Sequence, residues 1–203
     1  MKKIIFAAGL LAISGGAYAQ EIPNADPALV EKYVQSLWSK ASPEWQARVK
    51  LDETQRVCSE TDNTPSQAQF ESIQAREKAT VVFPADGNVM GDWKRGMTVA
   101  QRGTGGQFSD APGTYQGGNC FACHELTREE VSYGTLGPSL LGYGKNRNFD
   151  PAEAKAAFAK IYNPHAVFPC SQMPRFGLSK FLTEEQIKDA VALLFAKDSP
   201  VNK

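Results

Sequence analysis

Two cysteines three positions apart, followed at once by a histidine, constrain this chain more than any other feature: Cys120-Phe121-Ala122-Cys123-His124. Cys-x-x-Cys-His is the attachment signal for a c-type haem. Two thiols on one helical turn can add to the two vinyl groups of one porphyrin edge, and the next residue then sets its imidazole under the iron. The chain holds four cysteines and two histidines in 203 residues. From that composition, chance produces the pattern in roughly one such sequence per thousand. Other uses of the motif fit less well. A zinc site needs a second ligand pair at regular spacing, and Cys58 and Cys170 stand alone. A thiol–disulfide oxidoreductase places its C-x-x-C after a strand in a βαβ frame. Here the motif follows a loop with six glycines between Gly103 and Asn119, and that loop lacks the phosphate-binding G-x-x-x-x-G-K-[ST] pattern.

With His124 as the proximal ligand, Gly137-Pro138 has a natural use. A carbonyl in that turn can accept the imidazole Nδ1–H and fix the tautomer. The sixth ligand comes from Met90, Met97, Met173, His165 or Cys170. Met173 is favoured because it sits in a loop bracketed by Pro169 and Pro174, which can hold a thioether rigidly and raise the potential. The iron would then lie between His124 and Met173, with one covalent haem c on Cys120 and Cys123. No paired carboxylates or activated nucleophile accompany it, so no catalytic residue is assigned.

Compartment decides the other two cysteines. Lys2-Lys3, the apolar run Ile4 to Ile13 and Ala17-Tyr18-Ala19 form a secretory leader over residues 1–19. The apolar run is too short to span a bilayer, and no later stretch is apolar enough, so no membrane span is expected and the periplasm is the predicted location. In that oxidising space Cys58 and Cys170 are expected to pair. Basic and acidic residues balance at 22 each, which argues against a nucleic-acid binder, since phosphate neutralisation needs a basic face.

The periodicity predicts an all-α chain. Residues 20–80 read as an N-terminal helical arm, with helix starts at Asp26-Pro27, Ser42-Pro43 and Thr64-Pro65 and a polar break at 60–63. Residues 81–203 read as the second domain. It opens on the β-prone run Val81-Val82-Phe83 and a short helix within 92–102, weakened by Gly96. A capping box follows at Thr127–Glu130, then helices from Asp150-Pro151 to Tyr162 and from Thr183 to about Lys197.

Three segments, Gly118–His124, Gly134–Leu140 and Gln172–Gly177, together resemble the SoxX family, the small cytochromes of the bacterial sulfur-oxidising (Sox) system. The resemblance spans roughly residues 85–197. It implies a class I cytochrome c fold with one covalent haem, ligated as above, and an N-terminal helical extension that departs from a minimal cytochrome. It implies a heterodimer with a SoxA-like cytochrome carrying the catalytic centre of an L-cysteine S-thiosulfotransferase, which oxidatively joins thiosulfate to a cysteine of the SoxYZ carrier protein. This chain would be the electron-transfer subunit, delivering electrons to a small soluble cytochrome c. The other expectation is a free periplasmic class I cytochrome c, and a third, from another class, is a haem-less disulfide enzyme.

Overall fold

The computed structural model describes residues 26–203, so the leader expected over residues 1–19 lies outside the described residues. Seven α-helices are joined by loops and short 3-10 turns, and no strand occurs among the described residues. The all-α expectation holds. Two compact units divide between Val49 and Lys50, so residues 50–80 belong with residues 81–203 and not with the segment before them.

In the first unit, α1 (Pro27–Leu37) and α2 (Pro43–Arg48) begin on the prolines expected, and the Asp26 carboxylate accepts the Ala28 N–H. Proline at the first helical position loses no hydrogen bond, because that N–H has no partner within the helix. Leu29, Val30, Tyr33 and Leu37 along α1 are exposed, and Trp38 stacks on Trp45 at 6.2 Å.

The second unit opens on α3 (Glu53–Glu60) and α4 (Gln67–Lys78). Both start in capping boxes, Asp52 with Gln55 and Ser66 with Gln69. The expected start at Thr64-Pro65 is thus displaced: Ser66 provides the cap and Pro65 precedes it. The break at 60–63 is real, with Asp62 and Asn63 in the left-handed region at φ 49° and 59°. Val81-Val82-Phe83 forms no strand, because β-propensity without a pairing partner gives no ladder. Phe83 instead stacks on buried Phe158 at 5.6 Å.

Helices α5 (Trp93–Gln101), α6 (Pro151–Tyr162) and α7 (Glu184–Phe195) build the main core. Ala154, Ala157, Phe158 and Ile161 are the buried face of α6, as its periodicity predicts. Helix α7 is buried along every residue from Ile187 to Phe195, so it is the central helix of the unit. Its Asp189 lies 2.8 Å from the Arg95 Nε and accepts the Asp92 N–H, tying α7 to the start of α5. Gly96 lets the two helices approach: a Cβ there would overlap the Asp189 carbonyl oxygen. The glycine read as a weakness is a packing requirement. Gly96→Ala is expected to cost roughly 1–3 kcal/mol by overpacking, seen as a lower urea midpoint with an unchanged slope.

The capping box expected at Thr127–Glu130 starts no helix. Thr127 is buried, and the Gly134 N–H already donates to the Phe121 carbonyl. Too few residues lie between to repay the nucleation cost of a helix. At the other end of the unit, the Asn202 amide donates to the Leu194 and Ala196 carbonyls, and its Oδ1 accepts from the Gly144 and Lys145 N–H groups. That side chain satisfies the end of α7.

Candidate functional site

Cys120 to Ala122 form one 3-10 turn, entered through Asn119 in the left-handed region. The Cys123 and His124 N–H groups both return to the Cys120 carbonyl, at 3.1 and 2.9 Å. The turn places Cys120 against the main core while Cys123 and His124 stay half-buried. Cys120 and Cys123 are free thiols. Burial pushes the Cys120 thiol up to about 12, with neighbouring Cys123 adding to the shift and a bond from its own backbone N–H opposing it. A disulfide oxidoreductase needs the opposite, a thiolate near neutral pH. Among the described residues no strand precedes the motif, whereas a disulfide oxidoreductase places its C-x-x-C after one.

The segment 134–140 is laid along the motif by backbone hydrogen bonds: Gly134 N–H to Phe121 O, Gly137 N–H to Cys123 O and Leu140 N–H to Glu125 O, all within 2.8 Å. Such proximity leaves no room for side chains. A Cβ on Gly134 would overlap the Ala122 carbonyl oxygen, and one on Gly137 would overlap the His124 ring. The turn then presents the Pro138 carbonyl, which accepts the His124 Nδ1–H at 2.7 Å. This bond fixes the tautomer and leaves Nε2 as the ring's lone-pair nitrogen. The Gly-Pro turn therefore does the task its position suggested.

Met173 is half-buried and packs against the same core as Cys120. Among the other sixth-ligand candidates, Met90 and Met97 also pack against this core. Cys170 is bonded to Cys58 in a disulfide spanning 112 residues, which removes it as a thiolate ligand. His165 is buried beside α4, in the turn Pro164–Ala166. Arg175 pairs with Asp52 at 2.5 Å.

Sequence reasoning missed a buried polar network between α3, α4 and the 163–165 turn. Glu77, only 4% exposed, accepts from the Thr54 hydroxyl and from the Asn163 amide. Asn163 also donates to the Thr80 hydroxyl and accepts from the His165 N–H. No period marks these residues, since each belongs to a different element. The His165 Nδ1 finds no hydrogen-bond partner among the described residues. Burial holds its pKa below the ordinary histidine value and the Arg175 charge adds to this, while Glu77 and Asp52 oppose it. In the unfolded chain His165 titrates near 6.5, so just below that pH the unfolded state binds the extra proton. Stability is therefore fully present above about pH 6.5 and is lost as pH falls toward the folded value. Urea midpoints are expected to drop between about pH 7.5 and about pH 5, and His165→Phe to flatten that drop; parallel slopes would refute the assignment.

A cleft of about 570 Å3 opens beside the motif, lined by Phe121 and Ala122 together with Asn119, Glu130, Ser132 and Tyr133. None of Cys120, Cys123, His124 or Met173 lines it.

No protein-family model matches the chain. It is 36% identical over 212 residues to an uncharacterized lipoprotein of Aquifex aeolicus (strain VF5), covering 99% of this chain and 98% of the relative. That match overturns the expected classification by name: the relative is called neither a cytochrome nor a haem, iron or sulfur-oxidation protein. The expected classification as a metal-binding protein is corrected as well. Among the described residues no group of three or more His, Cys, Asp or Glu side chains could hold a metal ion. No helix among them is long and apolar enough to cross a membrane. With that identity over nearly the whole of both sequences, the protein belongs to the same family as the Aquifex lipoprotein.

Proposed function

We propose that the chain is an electron-transfer protein, with one haem c joined to Cys120 and Cys123 and a class I cytochrome fold in its second unit. The observation that carries this reading is the His124 ring. Its Nδ1–H is committed to the Pro138 carbonyl at 2.7 Å, its Nε2 is left as the donor, and two free thiols precede it. A porphyrin brings four ligands of its own, so the chain need supply only thiols and axial donors, and these residues fit that requirement. When bound, the group supplies a reversible one-electron couple.

Each remaining task falls to a residue of the chain. Cys120 and Cys123 would hold the group through thioether bonds, each S–H adding across one vinyl C=C so that its hydrogen ends on the vinyl carbon. The Pro138 carbonyl, by holding Nδ1–H, makes Nε2 a stronger donor. Met173 would be the second donor, and its thioether would favour the reduced state. With His124 and Met173 as its two protein donors, the group would supply electron carriage and not substrate chemistry. Following the SoxX resemblance, the proposed partner is a SoxA-like cytochrome acting on a SoxYZ-like carrier, with a small soluble cytochrome c taking the electrons onward. The leader pattern and the lipoprotein relative both support an extracytoplasmic location, which we assign to the periplasm.

Expression in a host that matures c-type cytochromes tests this reading. The wild-type chain is expected to keep haem staining after denaturing electrophoresis, and Cys120→Ser/Cys123→Ser to lose it entirely. A colourless wild-type chain from its own host would falsify the proposal. Migration of the native chain alone, without a second haem protein, would retain the carrier role and remove the heterodimer.

A further inference from the structure

The short segment carrying Met173 is fastened to α3 on both sides of that residue. Three residues before it, Cys170 is bonded to Cys58 of α3. Two residues after it, the Arg175 guanidinium pairs at 2.5 Å with Asp52, the N-cap of α3. Cys170 also takes a left-handed backbone conformation, φ 59°, which a side chain disfavours and the surroundings must enforce. Burial does not fix the segment by itself, because Gln172 and Pro174, the two neighbours of Met173, are exposed. Helix α3, by contrast, is firmly placed. Its capping box closes its start, and buried Thr54 donates to Glu77 of α4. Helix α3 comes from the region that sequence periodicity assigns to the arm.

We infer that Cys58 and Asp52 are positioning residues that clamp the 170–175 segment to α3 and so hold the Met173 thioether in place as an axial donor. The inference rests on the haem reading above. Loosening either fastening enlarges the population in which the segment has moved and the thioether is withdrawn, without touching the thiols or His124.

The test uses the full haem-loaded chain in three forms: wild type, Cys58→Ala/Cys170→Ala, and Asp52→Asn. Asparagine still caps a helix, so Asp52→Asn removes the charge pair and leaves α3 intact. Two readouts follow Met173 itself: the long-wavelength sulfur-to-iron band of the ferric form, and the rate at which carbon monoxide binds the ferrous form. Carbon monoxide needs a vacant axial position, so its rate reports withdrawal of the thioether. Binding is expected to quicken about threefold in Asp52→Asn and about tenfold or more in the double variant, with a weakened band and equal covalent haem content. If the double variant does not fold, Asp52→Asn decides alone. Rates within about twofold of wild type and an unchanged band in every folded variant overturn the clamp and leave the haem reading standing. A wild type with no haem, or with haem and no sulfur band, overturns the ligation on which the clamp depends.

Discussion

Replacing Cys58 and Cys170 together with serine should lower the stability of the second unit by about 5 kcal/mol, the chain-entropy value for a closed loop of this length. The bridge spans 112 residues, and most of the unit lies between its ends. Reduction frees the unfolded chain to explore conformations the bridge forbids, so the effect acts on the unfolded state. Since a domain of this size is stable by only about 5–15 kcal/mol, the variant should be marginal at room temperature. Urea denaturation of the oxidised wild type and the double variant measures the difference. A loss below about 1 kcal/mol would mean the unfolded chain is already restricted or the bridge is strained.

Glu77→Ala should come next, at roughly 3–5 kcal/mol. Glu77 is the acceptor on which the Thr54 hydroxyl and the Asn163 amide converge, and Arg76 lies 3.8 Å from the same carboxylate. Thr54 and Asn163 are 1% and 0% exposed, so water cannot replace the lost acceptor, and each stranded donor carries its full desolvation cost. Glu77→Gln, which keeps one acceptor oxygen, should cost visibly less. Equal losses for the two substitutions would show that volume, not hydrogen bonding, is what Glu77 contributes.

The sequence was most legible where local chemistry decides. Proline starts, capping residues and 3.6-residue periodicity located the starts of α1 and α2 and both ends of α5, α6 and α7 to within a residue or two. It misled where the same local signals had no tertiary support. Thr127–Glu130 has capping residues but no room for a helix, and Val81–Phe83 has β-propensity but no partner strand. Gly96 looked unfavourable because its reason, the Asp189 carbonyl across the interface, lies on another helix. At the candidate site, Cys120, Cys123, His124 and the Gly137-Pro138 turn are close in sequence, so spacing carried their geometry. The fastening of the Met173 segment to α3 was legible only in part. Cysteine pairing in an oxidising compartment suggests the bridge, whereas Asp52 and Arg175 lie 123 residues apart and no spacing rule links them.

Four thiols can be joined fully in three patterns, and only one of them couples Cys58 with Cys170. In each of the other two, both members of the Cys-x-x-Cys pair are consumed by distant cysteines. Biogenesis therefore has an order problem as well as a folding problem. Whatever captures Cys120 and Cys123 first also settles which oxidation product the remaining two can form, so timing selects the architecture.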